Sequence, residues 1–177
     1  MTTFQGIPAG AFGFYEELQD NNNRHWWQEH KAGYQSLVKE PLAALLAELE
    51  PRWGDAAAGG TLVHGDIRAD NILLTAERVV FVDWPHACVG AAWLDLLLLL
   101  PSVAMQGGPP PWEVFETHRF GRDAPSDAVM PVVAALAGFF VHRSTLPPPP
   151  GLSTLREFQR GQGIEALAWL RHGLDES

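Results

Sequence analysis

The residues best suited to chemistry lie in one short stretch, His64-Gly65-Asp66-Ile67-Arg68-Ala69-Asp70-Asn71, followed twelve residues after Asn71 by Asp83 in Val82-Asp83-Trp84. An Asn carbonyl beside an Asp carboxylate suits a hard cation such as Mg²⁺, with phosphate oxygens and waters completing an octahedron. Asp66, just upstream, could orient or deprotonate an attacking hydroxyl. Arg68 could neutralise charge on a transferred phosphoryl group. Base, cation and metal ligands then come from one loop, and their roles fit phosphoryl transfer, in which positioning and charge neutralisation supply most of the catalysis.

Two short β-type runs must hold these groups together. Ile72-Leu73-Leu74 and Val79-Val80-Phe81-Val82 are joined through Thr75 to Arg78, which predicts a hairpin turning at Ala76-Glu77. Ile72 then faces Phe81, and Asn71 and Asp83 emerge at the same open end. A further β run is expected at Thr61-Leu62-Val63, straight after the Ala- and Gly-rich break at 54–60. That break sets the expected boundary between an N-terminal helical segment, 1–55, and a second domain, 56–177. Helical periodicity fills 12–53, with Asn21-Asn22-Asn23 offering caps and Pro41 suiting a first turn. Beyond the hairpin, helices are expected over 92–100, 111–118, 126–142 and 154–172, with Pro147 to Pro150 as a stiff spacer. The fold class is α+β and mostly helical.

Composition narrows the partners. A formal charge of -9 and scattered arginines argue against nucleic acid. The longest greasy run, Trp93 to Met105, is interrupted by Asp95 and Pro101 and falls short of the ~20 residues of a bilayer span. No secretory signal is visible, and the single Cys88 supports neither a disulfide framework nor a thiolate cluster. A cytoplasmic protein is expected. Blander readings apply to other chemistry-bearing residues: Cys88 as a buried, inert thiol, Asp70 as a solvated loop residue pointing away from the site, and His25 and His30 as a solvated face. Trp26 and Trp27 read as core anchors whose partner core is missing.

The pattern H-G-D-x-x-x-x-N, followed by a hydrophobic strand ending in Asp, resembles the catalytic and metal loops of the aminoglycoside phosphotransferase family. The resemblance runs from about Thr61 to the end. It implies a kinase-like lobe with Asp66 as catalytic base, Asn71 and Asp83 as Mg²⁺ ligands, and His64 as a loop-organising residue. Gly90 to Asp95, Gly-Ala-Ala-Trp-Leu-Asp, is similar to the family's structural segment, in which Asp95 would bond back to the loop. The implied reaction is transfer of the γ-phosphoryl group of ATP, with Mg²⁺, to a hydroxyl of a small molecule, cationic if the carboxylates face it.

Residues 14–53 instead resemble the opening helices of an uncharacterised bacterial family. A kinase of this type also needs a nucleotide-binding β-lobe with a phosphate-covering loop and a strand lysine. The sequence has only Lys31 and Lys39, both on helical segments, and no Gly-rich phosphate loop before His64. The chain alone is therefore expected to bind Mg²⁺-ATP weakly, with a partner chain or a second copy covering the exposed face of the lobe. The rival reading is a catalytically inactive fused or truncated relic acting as a binding or interaction module.

Overall fold

The computed structural model describes residues 8–21, 23–49 and 52–175. The chain divides into two compact units, residues 1–49 and 50–177.

In the first unit, helix α1 (Gly10–Asp20) is followed by α2 (Arg24–Tyr34), a π-helical turn (Gln35–Lys39) and α3 (Glu40–Leu49). Asn23 has extended backbone, and its side chain accepts the Trp26 N–H at 3.0 Å, which caps α2. Pro41 was expected in the first turn of a new helix, but the helical run is unbroken from Arg24 to Leu49, and the π-helical turn just before Pro41 accommodates its ring and missing N–H. Ala11, Phe14 and Val38 form a buried cluster against which Trp26, Trp27, Tyr34 and Leu37 pack. The Phe14 ring lies 5.3 Å from that of Trp26 and 6.4 Å from that of Trp27. The tryptophan pair thus has a core within its own unit, contrary to the expectation that its partner was missing. His30 is not solvated either. Its ring stacks on Trp26 at 4.1 Å, whereas His25 is exposed beside Glu29.

The second unit opens with α4 (Trp53–Ala56), then strand β1 (Thr61–Val63), a 3₁₀ turn (Ala69–Asn71), β2 (Ile72–Leu74), β3 (Val79–Phe81) and β4 (Cys88–Gly90). β2 and β3 pair antiparallel with Ile72 opposite Phe81 and Leu74 opposite Val79, the register expected from the sequence. The turn closes through the Thr75 N–H, which donates to the Arg78 carbonyl at 3.0 Å, and the Thr75 hydroxyl accepts the Arg78 N–H at the same length. β1 pairs antiparallel with β4, Val63 opposite Cys88. β4 was not foreseen, because Cys88-Val89-Gly90 is too short to show alternation and becomes a strand only through its long-range partner. Among the described residues each sheet has two strands, so no large β lobe is present.

The helices that follow are α5 (Leu94–Met105), α6 (Pro111–Thr117), α7 (Arg119–Arg122), α8 (Ser126–Ser144) and α9 (Leu155–Asp175). α5 runs through Pro101 instead of ending before it. Pro101 is fully buried, so packing offsets the lost helical bond. Leu97 and Leu100 of α5, Val133, Ala134 and Ala137 of α8, and Ala166, Trp169 and Leu170 of α9 are buried together as the core. Small residues on the α8 and α9 faces let the two backbones approach closely. Trp93, Phe115 and Trp169 close one side edge-to-face, with centroids 6.2 and 5.3 Å apart. No helix among the described residues is long and apolar enough to cross a membrane.

Candidate active site

The loop from His64 to Asn71 leaves β1 and enters β2, and Asp95 in the first turn of α5 ties it down. One carboxylate oxygen of Asp95 accepts the His64 N–H at 2.8 Å, and the other accepts the Gly65 N–H at 2.9 Å. These donors would otherwise be costly, since His64 is 1% exposed. The Asp66 N–H approaches His64 Nδ1 at 3.3 Å, which makes Nδ1 an acceptor, so Nε2 carries the proton that it gives to the Val82 carbonyl at 2.9 Å. The imidazole thereby joins the catalytic-type loop to the end of β3, and the Trp84 ring lies against it at 4.4 Å.

Gly65 turns the chain with φ of +79°, and a Cβ added there would meet the His86 carbonyl oxygen at 2.7 Å. Gly65→Ala combines a left-handed backbone with a collision against main chain. It is expected to destabilise the second unit by about 2 kcal/mol or more, read as a lower urea midpoint with unchanged slope. An unchanged midpoint would show that the loop relaxes without loss.

Asn71 is 5% exposed. Its amide nitrogen donates to the Asp66 main-chain carbonyl at 2.8 Å and lies 3.4 Å from the Asp66 carboxylate. Its side-chain oxygen takes no hydrogen bond among the described residues. The Asn71 carbonyl accepts the Val82 N–H at 3.0 Å, which extends the β2–β3 ladder one step and puts Asp83 immediately beyond, at the same end of the hairpin. Asp83 is exposed and has φ of +64°, alone among the described non-glycine residues in that region. Such a conformation costs an L-residue roughly 1–2 kcal/mol, and it is the kind of departure that collects at functional sites. Among the described residues no group of three or more His, Cys, Asp or Glu forms a metal cage. Asn71 and Asp83 suit a different kind of site, with one amide oxygen and one carboxylate and the remaining positions left for phosphate oxygens and water.

Arg68 lies between two carboxylates. Its Nε is 3.5 Å from Asp66 and a terminal nitrogen is 3.3 Å from Asp70. The Nε is buried without a hydrogen bond, so its contact with Asp66 is ionic only, and the guanidinium lies over the Phe158 ring at 5.7 Å. Asp70 is therefore solvent-facing, as expected, but it does not point away from the site. Its partner is two residues back across the 3₁₀ turn, a pairing that spacing alone did not suggest. Cys88 is exposed where burial was expected, although Val63 opposite it on β1 is buried.

A cavity of about 590 Å³ opens beside the loop, with Asp66 and Arg68 on its wall and side chains of α5, α8 and α9 around the rest. Cys88 and His86 also border it. Its size is that of a small-molecule site. Gln162 of α9, which sequence reading did not single out, lines this cavity at 1% exposure, and its side-chain oxygen has no hydrogen-bond partner.

A family model described as phosphotransferase enzyme family matches residues 2–135, more than half of the chain, and the chain belongs to that family. The match takes in the N-terminal helices that the sequence sets beside an uncharacterised family, as well as the loop and hairpin. No curated protein and no solved structure matches the chain.

Proposed function

We propose that residues 56–177 are the catalytic lobe of a kinase-like phosphotransferase that moves the γ-phosphoryl group of ATP to a hydroxyl of a small molecule in the cytoplasm, with residues 1–55 as an N-terminal helical segment. One observation carries this reading: the Asn71 amide nitrogen is spent on Asp66 at 2.8 Å, which leaves its side-chain oxygen available at the end of the hairpin where Asp83 follows β3. Family membership supports the reaction class.

In this reading Asp66 is the proton acceptor. It holds the acceptor hydroxyl at its carboxylate and takes the proton as the oxygen attacks phosphorus, with transfer completed by loss of ADP. Arg68, already poised against Asp66, balances the negative charge that gathers on the transferred group. Asn71 and Asp83 would hold Mg²⁺, which when bound neutralises phosphate charge and fixes its orientation. Asp95 and His64 act on position: they fix the loop to α5 and to β3, so that Asp66 and Asn71 keep their spacing.

The apolar side chains Leu73, Leu74, Val79 and Phe81 on the hairpin are exposed, which supports a partner chain or second copy covering this face and completing the nucleotide site. Binding of Mn²⁺ as a reporter for Mg²⁺ tests the reading without requiring that completion. Broadening confined to the Asn71 and Asp83 end of the hairpin supports it, and binding elsewhere removes it.

A further inference from the structure

We infer that the acceptor taken by this chain is a compact alcohol with an apolar or aromatic body and a hydrogen-bond donor that seats on Gln162, and not a polycationic aminosugar. The inference rests on the reading of Asp66 as the proton acceptor and names the substrate class for that site.

Three observations converge on it. The first is the character of the walls: Leu94 and Leu98 of α5 and Val132, Leu136, Phe139 and Phe140 of α8 present hydrocarbon to the cavity. A sugar carrying several ammonium groups would be stripped of water there with nothing to replace it. The second is the charge balance. Among the described residues the one carboxylate on the cavity wall, Asp66, faces Arg68 at 3.5 Å, so the wall carries no excess of negative charge to attract a polycation, and Asp70, 3.3 Å from the same guanidinium, does not line it. Asp83 does not line the cavity.

The third is Gln162. Its side chain is 1% exposed, it lines the cavity, and its oxygen has no partner. A buried acceptor left unpaired is unfavourable, so the site is more stable when a donor on the ligand satisfies it. A ligand that filled the apolar space with its hydroxyl toward Asp66 and a donor on its other end would meet both polar features of the pocket. The bordering Cys88 and His86 do not alter this, since both are exposed at its rim.

The test uses the full chain and nuclear magnetic resonance titration, with no nucleotide and no metal. The probes are tyrosol, which has an aromatic body, an alcohol and a phenolic donor; phenethyl alcohol, which lacks the phenol; and kanamycin. Tyrosol is expected to shift the amide signals of the cavity residues and the Gln162 side-chain amide, and to bind roughly tenfold more tightly than phenethyl alcohol, the usual effect of one added hydrogen bond in a buried site. Gln162→Leu, which keeps the shape of the side chain, should bring the two alcohols to equal affinity. Ala135→Phe, which narrows the cavity, should weaken both. Kanamycin shifting these signals more than tyrosol would overturn the inference. So would a tyrosol preference that survives Gln162→Leu, because Gln162 would then hold only water. Should Gln162→Leu fail to fold, the Ala135→Phe and kanamycin arms still decide. Failure of the parent reading looks different: tyrosol bound in the cavity while Mn²⁺, added in a separate titration, broadens signals away from Asn71 and Asp83 would leave the pocket and remove the phosphotransferase, whereas broadening at Asn71 and Asp83 with kanamycin preferred over tyrosol would do the reverse.

Discussion

Asp66→Asn is expected to lower phosphoester formation by about 10²–10⁴-fold, the usual contribution of a positioned general base. The measurement is label transfer from γ-labelled ATP to an alcohol at millimolar Mg²⁺-ATP, a concentration high enough to compensate for weak nucleotide grip. The substitution keeps the size of the side chain and the main-chain carbonyl that Asn71 uses, so the loop should hold its shape. What it removes is the proton acceptor and the charge facing Arg68 at 3.5 Å. An unchanged rate in a folded variant would assign proton removal to another group, and the reading of the loop would have to be redrawn.

Asp95→Ala is expected to produce the largest loss of stability among single changes near the site. Two main-chain donors, His64 and Gly65, lose their acceptor at once, and His64 has almost no access to water that could substitute. Hydrogen bonds to a charged acceptor contribute about 1.5–3 kcal/mol each. The combined loss is about 3 kcal/mol or more, against a total of roughly 5–15 kcal/mol for an ordinary domain. For a chain of this size that is a fall in Tm on the order of 10 °C. Asp95→Asn, which retains one acceptor oxygen, should lose about half as much. A melting temperature unchanged in the alanine variant would mean that the loop does not depend on this anchor, and the positioning argument for Asp66 and Asn71 would fail with it.

The hairpin was legible because its information is local. Two short apolar runs, Ile72 to Leu74 and Val79 to Val82, joined by a four-residue connection that turns tightly at Ala76-Glu77, fix the register through the turn. Asn23 as a cap was legible for the same reason, whereas Pro41 reads as a helix start because the π-helical turn that carries the helix past it leaves no local signal. The features that were missed depend on distant partners. β4 exists only because β1 lies beside it. The core around Phe14 forms where three helical segments meet, so nothing around Trp26 and Trp27 alone announced it. Gln162 lies far along the chain from Asp66, in a helix whose pattern reads as ordinary amphipathic sequence. Its role as an unpaired acceptor in the cavity depends on how α9 packs. The Arg68–Asp70 pair had a different cause: the 3₁₀ turn changes which side chains meet, and two-residue spacing does not bring side chains together on an α-helix.

The central claim is that Asn71 and Asp83 form the metal end of the site, and Mn²⁺ titration of the full chain followed by nuclear magnetic resonance reads it most directly. Paramagnetic broadening should appear first at Asn71, Val82, Asp83 and Asp66. It should be competed by Mg²⁺, and it should be lost in Asp83→Ala while that variant keeps its fold. Broadening that begins elsewhere, or that is the same in Asp83→Ala, would contradict the account.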